Sequence, residues 1–358
     1  MSRLFSPLQL RSVTFPNRVF VSPMCQYSSV DGMPNEWHFV HLGSRAVGGA
    51  GLVCVEAAGV TPAGRITPWD AGIWSEAHAR AWKPVADFIR SQGSVPAIQI
   101  AHAGRKASCN KPWRGGKPLA NGEGAWSTLG PSGIAFGHYP APRAMTREDV
   151  RATVGDFERS ARLALAAGFD VVEIHGAHGY LLHSFCSPLS NQRTDEYGGP
   201  LANRIRLPLE VAHAVRAAWP ADKPVFYRVS ATDWFDGGWD LAQTIELCKR
   251  LKEAGIDLID TSSGGNIHDQ KIVLGPGYQV PFASAIRSEA NVPTVAVGLI
   301  TEAVQAEQVV AHGHADAVML ARASLRDPYW PRHAARELRV DMPWPDQYKR
   351  ADVGPLGR

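Results

Sequence analysis

The sequence predicts an α/β fold, a single (β/α)8 TIM barrel, and a repeated pattern is the first observation that favours it. A helical stretch ending in Ala-Gly or a similar pair is followed by a short apolar strand at residues 48–56, 166–175, 253–260 and 312–322. The glycine of each repeat can adopt the left-handed conformation that ends a helix before the chain turns into a strand. Repeated helix–strand units imply a parallel sheet.

Four further apolar segments raise the number of predicted strands to eight. They lie at residues 18–22, 95–100, 224–229 and 293–297, and helical patterns lie between the strands at 36–49, 76–91, 146–166, 201–218, 240–254, 280–290 and 302–311, with a last helix after residue 327. Eight strands alternating with eight helices over about 320 residues is the size of a TIM barrel with insertions. A doubly wound sheet is the alternative, although no Gly-x-Gly-x-x-Gly motif follows a predicted strand.

The chain, residues 1–358, is predicted to be one domain because no linker rich in Pro, Gly or Ser separates two regimes of composition. A β-hairpin is expected ahead of the first barrel strand. The longest irregular stretch, residues 103–143, is a long insertion after strand three, and such insertions tend to be functional lids or small subdomains. The polar, proline-containing tail, residues 342–358, is expected to be disordered unless a neighbouring subunit holds it.

Composition excludes several classes of partner. A formal net charge of +3, from 37 basic and 34 acidic residues, includes no basic tract of the kind that nucleic acid or an anionic membrane requires. No segment approaches the ~18 apolar residues of a membrane span, and the first residues lack a signal-peptide pattern, so the protein is expected to be cytoplasmic. The five cysteines show no paired spacing, which predicts neither a disulfide framework nor a zinc or iron–sulfur cluster.

Two histidines and a tyrosine follow the fourth predicted strand and are the strongest candidates for catalytic residues. His175, His178 and Tyr180 come at the end of a mostly apolar run. Residues just past the strands of TIM-barrel enzymes face the active site, so these side chains are predicted to recognise substrate and transfer a proton. Metal ligation by His175 and His178 is an alternative, but zinc catalysis normally uses three protein ligands and no third is evident. A purely structural role is the other alternative.

Residues after the seventh and eighth predicted strands indicate a phosphate site. Gly298 and the pair Ala321-Arg322 occupy the position where TIM barrels bind phosphate through backbone N–H groups. Arg322 can add a charge-assisted hydrogen bond. The alternative is that Gly298 is only part of a turn and Arg322 only a surface cation. A phosphate site here predicts a phosphate-bearing cofactor.

Arg228 lies at the inner end of the fifth predicted strand, where an unpaired guanidinium costs several kcal/mol to bury. A negative group is therefore expected beside it. A reduced flavin carries negative charge near N1 and C2=O, and Gln99 of the third strand can pair with the amide edge of the same ring. Arg228 and Gln99 are therefore candidates for flavin binding.

Two motifs resemble those of one enzyme family. They are Ser-Pro-Met-Cys-Gln-Tyr, which contains Cys25, and His-x-x-His-x-Tyr, which begins at His175. The chain resembles the Old Yellow Enzyme family of FMN-dependent ene-reductases, and more closely its thermophilic-like branch, which includes the YqjM and xenobiotic reductase A type enzymes. The likeness runs in order along nearly the whole chain and includes Trp37-His38, Glu56-Ala57, residues 64–68, residues 99–106, Ser187-Pro188, residues 191–203, residues 228–230 and Ala321-Arg322.

The resemblance implies that FMN is bound and that NADPH, or NADH, is the reductant. It implies that residues at the strand ends surround the flavin ring and hold its phosphate: Ser22, Pro23, Met24, Cys25, Ala57, Gln99, Arg228, Gly298, Ala321 and Arg322. Where many relatives have glycine before the phosphate-binding arginine, this chain has Ala321. The extra methyl group bears on how closely the backbone approaches the phosphate.

The resemblance also implies the reaction, which is reduction of the activated C=C bond of enones, enals, maleimides or nitro compounds. His175 and His178 would bind the activating oxygen, and Tyr180 would protonate the α carbon while Tyr27 narrows the pocket. Hydride addition at the β carbon builds enolate charge, which two imidazole N–H donors can stabilise. Three alternatives remain: a metal-dependent barrel hydrolase using both histidines, a flavin-binding protein without alkene turnover, and a dienoyl-CoA reductase or amine dehydrogenase, although these last usually carry a cysteine cluster and further domains.

The tail of the chain predicts a role for a second subunit. Residues 347–350 resemble the C-terminal segment that this branch inserts into a neighbouring subunit's pocket, which makes Arg350 a substrate-binding candidate. A homodimer or a dimer of dimers is therefore expected, with small-molecule activated alkenes and NAD(P)H as the other partners. The alternative is a frayed, solvated terminus.

Overall fold

The computed structural model describes residues 2–120 and 122–351 and contains a closed barrel of eight parallel strands. Each strand pairs with the next one along the chain, and the eighth pairs with the first. The barrel strands, numbered one to eight below, are Val19–Val21, Leu52–Gly59, Val95–Ala101, Val171–Gly176, Val225–Ser230, Leu258–Ser262, Thr294–Ala296 and Ala317–Leu320. The predicted TIM barrel is confirmed, and the doubly wound alternative is wrong.

Helices cover the outside of the barrel: Glu36–Val47, Glu76–Ser91, Arg147–Ala166, Leu201–Arg204, Arg206–Ala218, Leu241–Glu253, Val280–Glu289, Ala303–Ala311 and Trp330–Glu337. Side chains at the N-caps of four of them, Asn35, Ser75, Thr146 and Asp240, accept hydrogen bonds from the first turn. The helix predicted over residues 201–218 is divided at Ile205. Pro208 lacks the N–H that would continue the helix to Arg204, which explains the division.

The predicted N-terminal hairpin is present and closes the lower end of the barrel. Leu8–Leu10 pairs antiparallel with Val13–Phe15. Phe15 is fully buried, and its ring centre lies 5.0 Å from that of Phe20 and 6.1 Å from that of Phe226, both inside the barrel. This apolar plug leaves the opposite end, where the strands finish, as the place for a site.

The long insertion after strand three is also present and lies over that opposite end. It contains the short 3-10 helices Gly104–Lys106 and Pro112–Arg114 and a small strand pair, Leu129–Gly130 with Arg143–Ala144. Arg105 of the insertion donates 2.6 and 2.9 Å hydrogen bonds to the carbonyl and side-chain oxygens of Asn266, which follows strand six. The insertion is thereby fastened to the barrel loops.

The described part of the C-terminal tail contacts the last helix of the barrel, Trp330–Glu337. Arg332 donates a 2.8 Å hydrogen bond to the carbonyl of Pro343 and lies over the ring of Trp344. A 3-10 helix, Asp346–Ala351, follows, and Arg350 is exposed on it. The rest of the predicted tail, residues 352–358, lies outside the described residues. None of the helices described is long and apolar enough to cross a membrane.

Candidate active site

The two histidines and the tyrosine after strand four lie side by side at the upper end of the barrel. The ring centres of His175 and His178 are 5.1 Å apart, and those of His175 and Tyr180 are 5.2 Å apart. His175 belongs to the strand, whereas His178 and Gly179 form a turn with φ angles of 61° and 72°. The turn folds the later residues back beside His175, which is why a short sequence motif makes a compact cluster.

Side chains from three other segments hold this turn. Ser230 accepts the His178 N–H at 2.9 Å, and His183 accepts the Gly179 N–H at 2.9 Å through Nδ1. Lys106 of the insertion donates to the carbonyls of His178 and Gly265 at 2.8 and 2.7 Å. A Cβ on Gly179 would lie 2.3 Å from the Gly265 carbonyl oxygen, so only glycine fits there. The backbone that carries His178 and Tyr180 is therefore rigidly placed.

Burial sets the protonation of the three side chains. It lowers the pKa of His175 and of His178 well below the ordinary value, and the nearby Arg228 guanidinium adds to the effect. Burial also raises the pKa of Tyr180 well above the ordinary value. At neutral pH both imidazoles are neutral, with one N–H each, and the phenol keeps its proton. The cluster can therefore donate hydrogen bonds to an oxygen and a proton to a carbon.

Arg228 and Gln99 lie below this cluster. The negatively charged partner of Arg228 in the structure is not the one that the sequence predicted. The predicted partner was the negative charge of a reduced flavin. Asp260 of strand six lies opposite Arg228 in the sheet, and its Oδ2 is 3.0 Å from the guanidinium Nε. Arg228 also donates to the Ser22 hydroxyl at 3.3 Å, so two predicted flavin-binding residues are in contact.

Gln99 is oriented by a buried carboxyl group. Its amide Nε2 donates a 2.7 Å hydrogen bond to Oε1 of Glu173, which is fully buried in strand four. Burial, followed by the nearby Asp260, raises the pKa of Glu173 to about 8. The amide oxygen of Gln99 is left to face other partners. A polar bed of Gln99, Glu173, Arg228 and Asp260 thus lies beneath the histidine cluster.

Strands one and two contribute a more apolar wall. Cys25 is partly buried and, like Tyr180, packs against the apolar cluster that includes Ala103. Burial raises the pKa of the Cys25 thiol well above the ordinary value, so the thiol stays protonated. Tyr27 places its ring edge against exposed Trp113 of the insertion, with ring centres 5.7 Å apart. Ala57 is buried in strand two, and Pro23 and Met24 connect strand one to Cys25.

A cavity of about 200 Å³ lies at the ends of strands seven and eight, where a phosphate site was predicted. Gly298, Ala321 and Arg322 line it together with Arg326. Neither arginine forms an ion pair with any residue in the described part of the chain. Gly298 has a φ of 127°, and a Cβ there would lie 2.9 Å from Gln279 Nε2. Two unpaired guanidinium groups beside a glycine-lined cavity fit the phosphate of FMN.

The backbone at position 321, where the usual residue is glycine, does not have the left-handed conformation that favours glycine. Ala321 has a φ of −102° and a ψ of −92°, so its φ is negative and does not require glycine. Ala321 and the other nine predicted flavin-binding residues come from the barrel strands or from the loops that follow them. Arg350, by contrast, is exposed on the tail and does not line the cavity at strands seven and eight.

The sequence-based prediction gave no role to several polar residues of the site. Lys106, Glu173 and Asp260 bring titratable groups from three segments, and Ser262 Oγ lies 2.7 Å from His178 Nε2. Lys106 ends the segment 99–106 that resembles the family, and Ser262 ends strand six, so both positions could have been recognised as site residues from the sequence. No sequence pattern marks Gln279, which precedes the helix Val280–Glu289. Among the described residues, no group of three His, Cys, Asp or Glu side chains is arranged to hold a metal ion.

The sequence is similar to known oxidoreductases along nearly its whole length. A family model described as the NADH:flavin oxidoreductase / NADH oxidase family matches residues 3–341. A curated NADPH dehydrogenase from Bacillus licheniformis is 48% identical over 352 residues, which are 98% of this chain and 98% of the relative.

Solved structures share the fold and part of the sequence. A 2-naphthoyl-CoA reductase in complex with 2-naphthoyl-CoA matches with a TM-score of 0.85 and 26% identity over 94% of this chain. The match covers 52% of that reductase, so the chain spans about half its length. The old yellow enzyme homologue from Zymomonas mobilis matches with a TM-score of 0.78 and 27% identity over 94% of each chain.

These similarities and the geometry of the site agree. The sequence matches cover the barrel together with its insertion, and the cavity at strands seven and eight fits a flavin phosphate. The metal-dependent hydrolase considered from the sequence is therefore wrong. The chain belongs to the NADH:flavin oxidoreductase / NADH oxidase family and is an FMN-dependent oxidoreductase of the Old Yellow Enzyme type.

Proposed function

We propose that the protein uses NADPH to reduce the activated C=C bond of α,β-unsaturated carbonyl compounds, such as enones, enals and maleimides, and of nitro compounds. The observation that carries this proposal is the cluster of two neutral imidazoles and one protonated phenol after strand four. The relatives named NADPH dehydrogenases support NADPH as the reductant. NADH is the alternative reductant.

The residues that would hold FMN come from six of the eight strands or the loops that follow them. Bound FMN supplies a carrier that accepts a hydride from the nicotinamide and passes it to carbon. The ring would be held by Pro23, Met24, Cys25, Ala57, Gln99 and Arg228, with the Ser22 hydroxyl supporting Arg228. The phosphate would be held by Gly298, Ala321 and Arg322.

The histidines provide the electrophilic part of the chemistry. An N–H from His175 and one from His178 would bind the carbonyl or nitro oxygen and stabilise the negative charge that develops on it. A preorganised donor of this kind typically contributes about 2.7 to 4 kcal/mol to transition-state stabilisation. Neutral imidazoles suit the role because a cationic pair 5.1 Å apart would repel and would be costly to bury.

Tyr180 would donate the proton to the α carbon. The centre of its ring lies 5.2 Å from that of His175. A proton delivered from the protein side, opposite the hydride, gives net trans addition. Tyr27 and Trp113 would close the pocket over the substrate, since their rings meet edge to face.

The half-reactions of purified holoenzyme test this proposal. Under anaerobic conditions NADPH should bleach the yellow flavin, and cyclohexenone should restore the colour. Tyr180→Phe should leave bleaching unchanged and slow reoxidation, and His178→Ala should slow reoxidation while FMN stays bound. Tyr197→Phe is the matched control because that phenol bonds Glu210 outside the site.

Two results would count against the proposal. A protein that NADPH bleaches but that no enone reoxidises would be a flavin-binding protein without alkene turnover. Equal slowing of both half-reactions in Tyr180→Phe would indicate that Tyr180 packs the site rather than supplying a proton.

We also propose a homodimer, or a dimer of dimers, in which Arg350 enters the pocket of the neighbouring subunit. Arg350 is exposed on the tail and has no ion-pair partner among the described residues, so its guanidinium is free to bind a group outside its own subunit. Truncation after Pro345 should raise the Michaelis constant for cyclohexenone and weaken association. Unchanged kinetics in a truncated protein that is still dimeric would refute a role for Arg350.

A further inference from the structure

We infer that Ser262 is a positioning residue that sets the tautomer of His178, so that the Nδ1–H faces the substrate. The functional meaning of this inference rests on the proposed function, because His178 is there assigned to the substrate oxygen. The tautomer itself is a property of the protein and can be measured without a substrate. A chain of hydrogen bonds that starts at the Val297 carbonyl connects Gln279, Ser263 and Ser262 to His178.

Gln279 begins this chain, and its amide orientation is determined by the carbonyl of Val297. Gln279 is buried, and its Nε2 donates a 2.8 Å hydrogen bond to that carbonyl oxygen. A carbonyl oxygen can only accept, so the amide nitrogen must face Val297. The Oε1 of Gln279 therefore faces Ser262 and Ser263 and acts as an acceptor for their hydroxyl groups.

The Ser263 hydroxyl donates its hydrogen bond to Gln279. The Trp234 indole, which can only donate, gives its N–H to the Ser263 oxygen at 2.9 Å. The Ser263 hydroxyl then donates to Gln279 Oε1 at 2.6 Å. Gln279 Oε1 therefore already accepts a short hydrogen bond and does not need one from Ser262.

Ser262 consequently donates to His178. Its oxygen lies 3.4 Å from Gln279 Oε1 but only 2.7 Å from His178 Nε2. A 2.7 Å contact is an optimal O–H hydrogen bond, whereas 3.4 Å is beyond the usual range. The His178 Nε2 therefore accepts, and since burial keeps the imidazole neutral, its single proton resides on Nδ1.

The consequence is that the nitrogen not bonded to Ser262 is a donor. If Ser262 instead gave its proton to Gln279, His178 Nε2 would carry the hydrogen and Nδ1 would present a lone pair to the substrate oxygen. Lone pairs on both atoms would repel. The backbone bonds from Ser230 and Lys106 hold the His178 residue in place, so the location of its proton is the variable that Ser262 controls.

Nuclear magnetic resonance of the FMN-bound holoenzyme, labelled with 15N-histidine, measures the tautomer directly. The His178 signals, identified by their loss in His178→Gln, should show Nδ1 protonated and Nε2 unprotonated at neutral pH. A protonated Nε2 in the unmodified protein would overturn the inference. This measurement does not depend on alkene reduction, so a failed proposed function and a failed tautomer assignment are distinguishable.

Substitutions that leave His178 itself unchanged provide the second test. Ser263→Ala removes the competing donor, so Ser262 should turn to Gln279 and the His178 proton should move to Nε2. The double variant Ser263→Ala/Gln279→Met also removes the acceptor and should restore the original tautomer, and Gln279→Met alone should keep it. Ser262→Thr, which retains a hydroxyl, should behave like the unmodified protein.

The affinity for 4-nitrophenol reports the functional effect in FMN-saturated protein. Ser263→Ala should weaken binding roughly tenfold, the usual effect of losing one hydrogen bond to a charged group. The double variant should bind within about twofold of Gln279→Met alone, and Ser262→Thr within about twofold of the unmodified protein. An unchanged tautomer in Ser263→Ala, or a double variant as weak as the single one, would overturn the inference.

Discussion

Replacing Lys106 is expected to slow the protonation step by removing a positive charge beside Tyr180. The Lys106 Nζ lies 5.2 Å from the centre of the Tyr180 ring, within the range of a cation–π contact. A positive charge there stabilises the negative charge that appears on Tyr180 when it gives up its proton. Lys106→Met keeps the length of the side chain but removes both the charge and the ammonium donors.

The size of the effect follows from the distance. A unit charge at 5.2 Å with an effective dielectric constant of about 20 contributes about 3 kcal/mol to phenolate formation. About half of this acts in a transition state with the proton half transferred, so reoxidation by cyclohexenone should slow roughly tenfold in Lys106→Met. Reduction by NADPH should be unaffected.

The charge on Lys106 also predicts a pH dependence. Burial, followed by the nearby Arg105 charge, lowers the pKa of Lys106 to about 7, while Cys109 opposes the shift. His175 and His178, the other titratable neighbours, are already neutral in this range. The ammonium is charged below pH 7, so the reoxidation rate should fall as the pH rises through about 7. Lys106→Arg keeps the charge and should show no such fall.

Stopped-flow reoxidation of NADPH-reduced enzyme between about pH 6 and pH 9 provides the measurement. Bleaching by NADPH in the same variants is the control for general damage. A Lys106→Met variant with the unmodified rate and the unmodified pH profile would refute the electrostatic argument. Slowing in Lys106→Arg equal to that in Lys106→Met would show that only the hydrogen bonds to the two carbonyls matter.

Three further predictions concern the turn, the buried carboxyl group and the thiol. Gly179→Ala should lower the free energy of unfolding by more than Gly237→Ala, because both residues have positive φ but only Gly179 would clash, with the Gly265 carbonyl. Glu173→Gln should flatten the dependence of the unfolding free energy on pH. The pKa of Glu173 in the folded protein is raised to about 8, so the native state binds this proton more tightly than the unfolded state does. The unfolding free energy should therefore fall as the pH rises from about 4.5 to 8, by up to about 1.4 kcal/mol per pH unit. Cys25→Ser should shift the FMN midpoint potential, since the neutral thiol packs in the cluster beside Tyr180.

Each of these has a result that would contradict it. Equal destabilisation of the Gly179 and Gly237 variants, measured by thermal unfolding, would mean that the turn relaxes around a methyl group. An unchanged slope of unfolding free energy against pH in Glu173→Gln would mean that this carboxyl group does not hold a proton. A midpoint potential that stays the same within error in Cys25→Ser would remove the tuning role of the thiol.

Sequence alone was sufficient to predict the barrel and the residues that follow its strands. Strand and helix periodicity is local, and the turn after strand four brings His175, His178 and Tyr180 together within six residues. The apolar strand around Arg228 similarly predicted a buried cation. The predicted helix limits agree with the structure to within two residues except at Ile205, where Pro208 interrupts the backbone hydrogen bonds.

Only the tertiary structure identified the partners of these residues. Asp260 neutralises Arg228, Lys106 holds the turn at His178, and the serine–glutamine chain reaches the same histidine from strand six. These contacts join residues 32, 72 and 84 positions apart, which no periodic pattern connects. Burial then determines the protonation of each group, because the free energy of a charge depends on every neighbour that replaces water, and closing the barrel decides which neighbours those are.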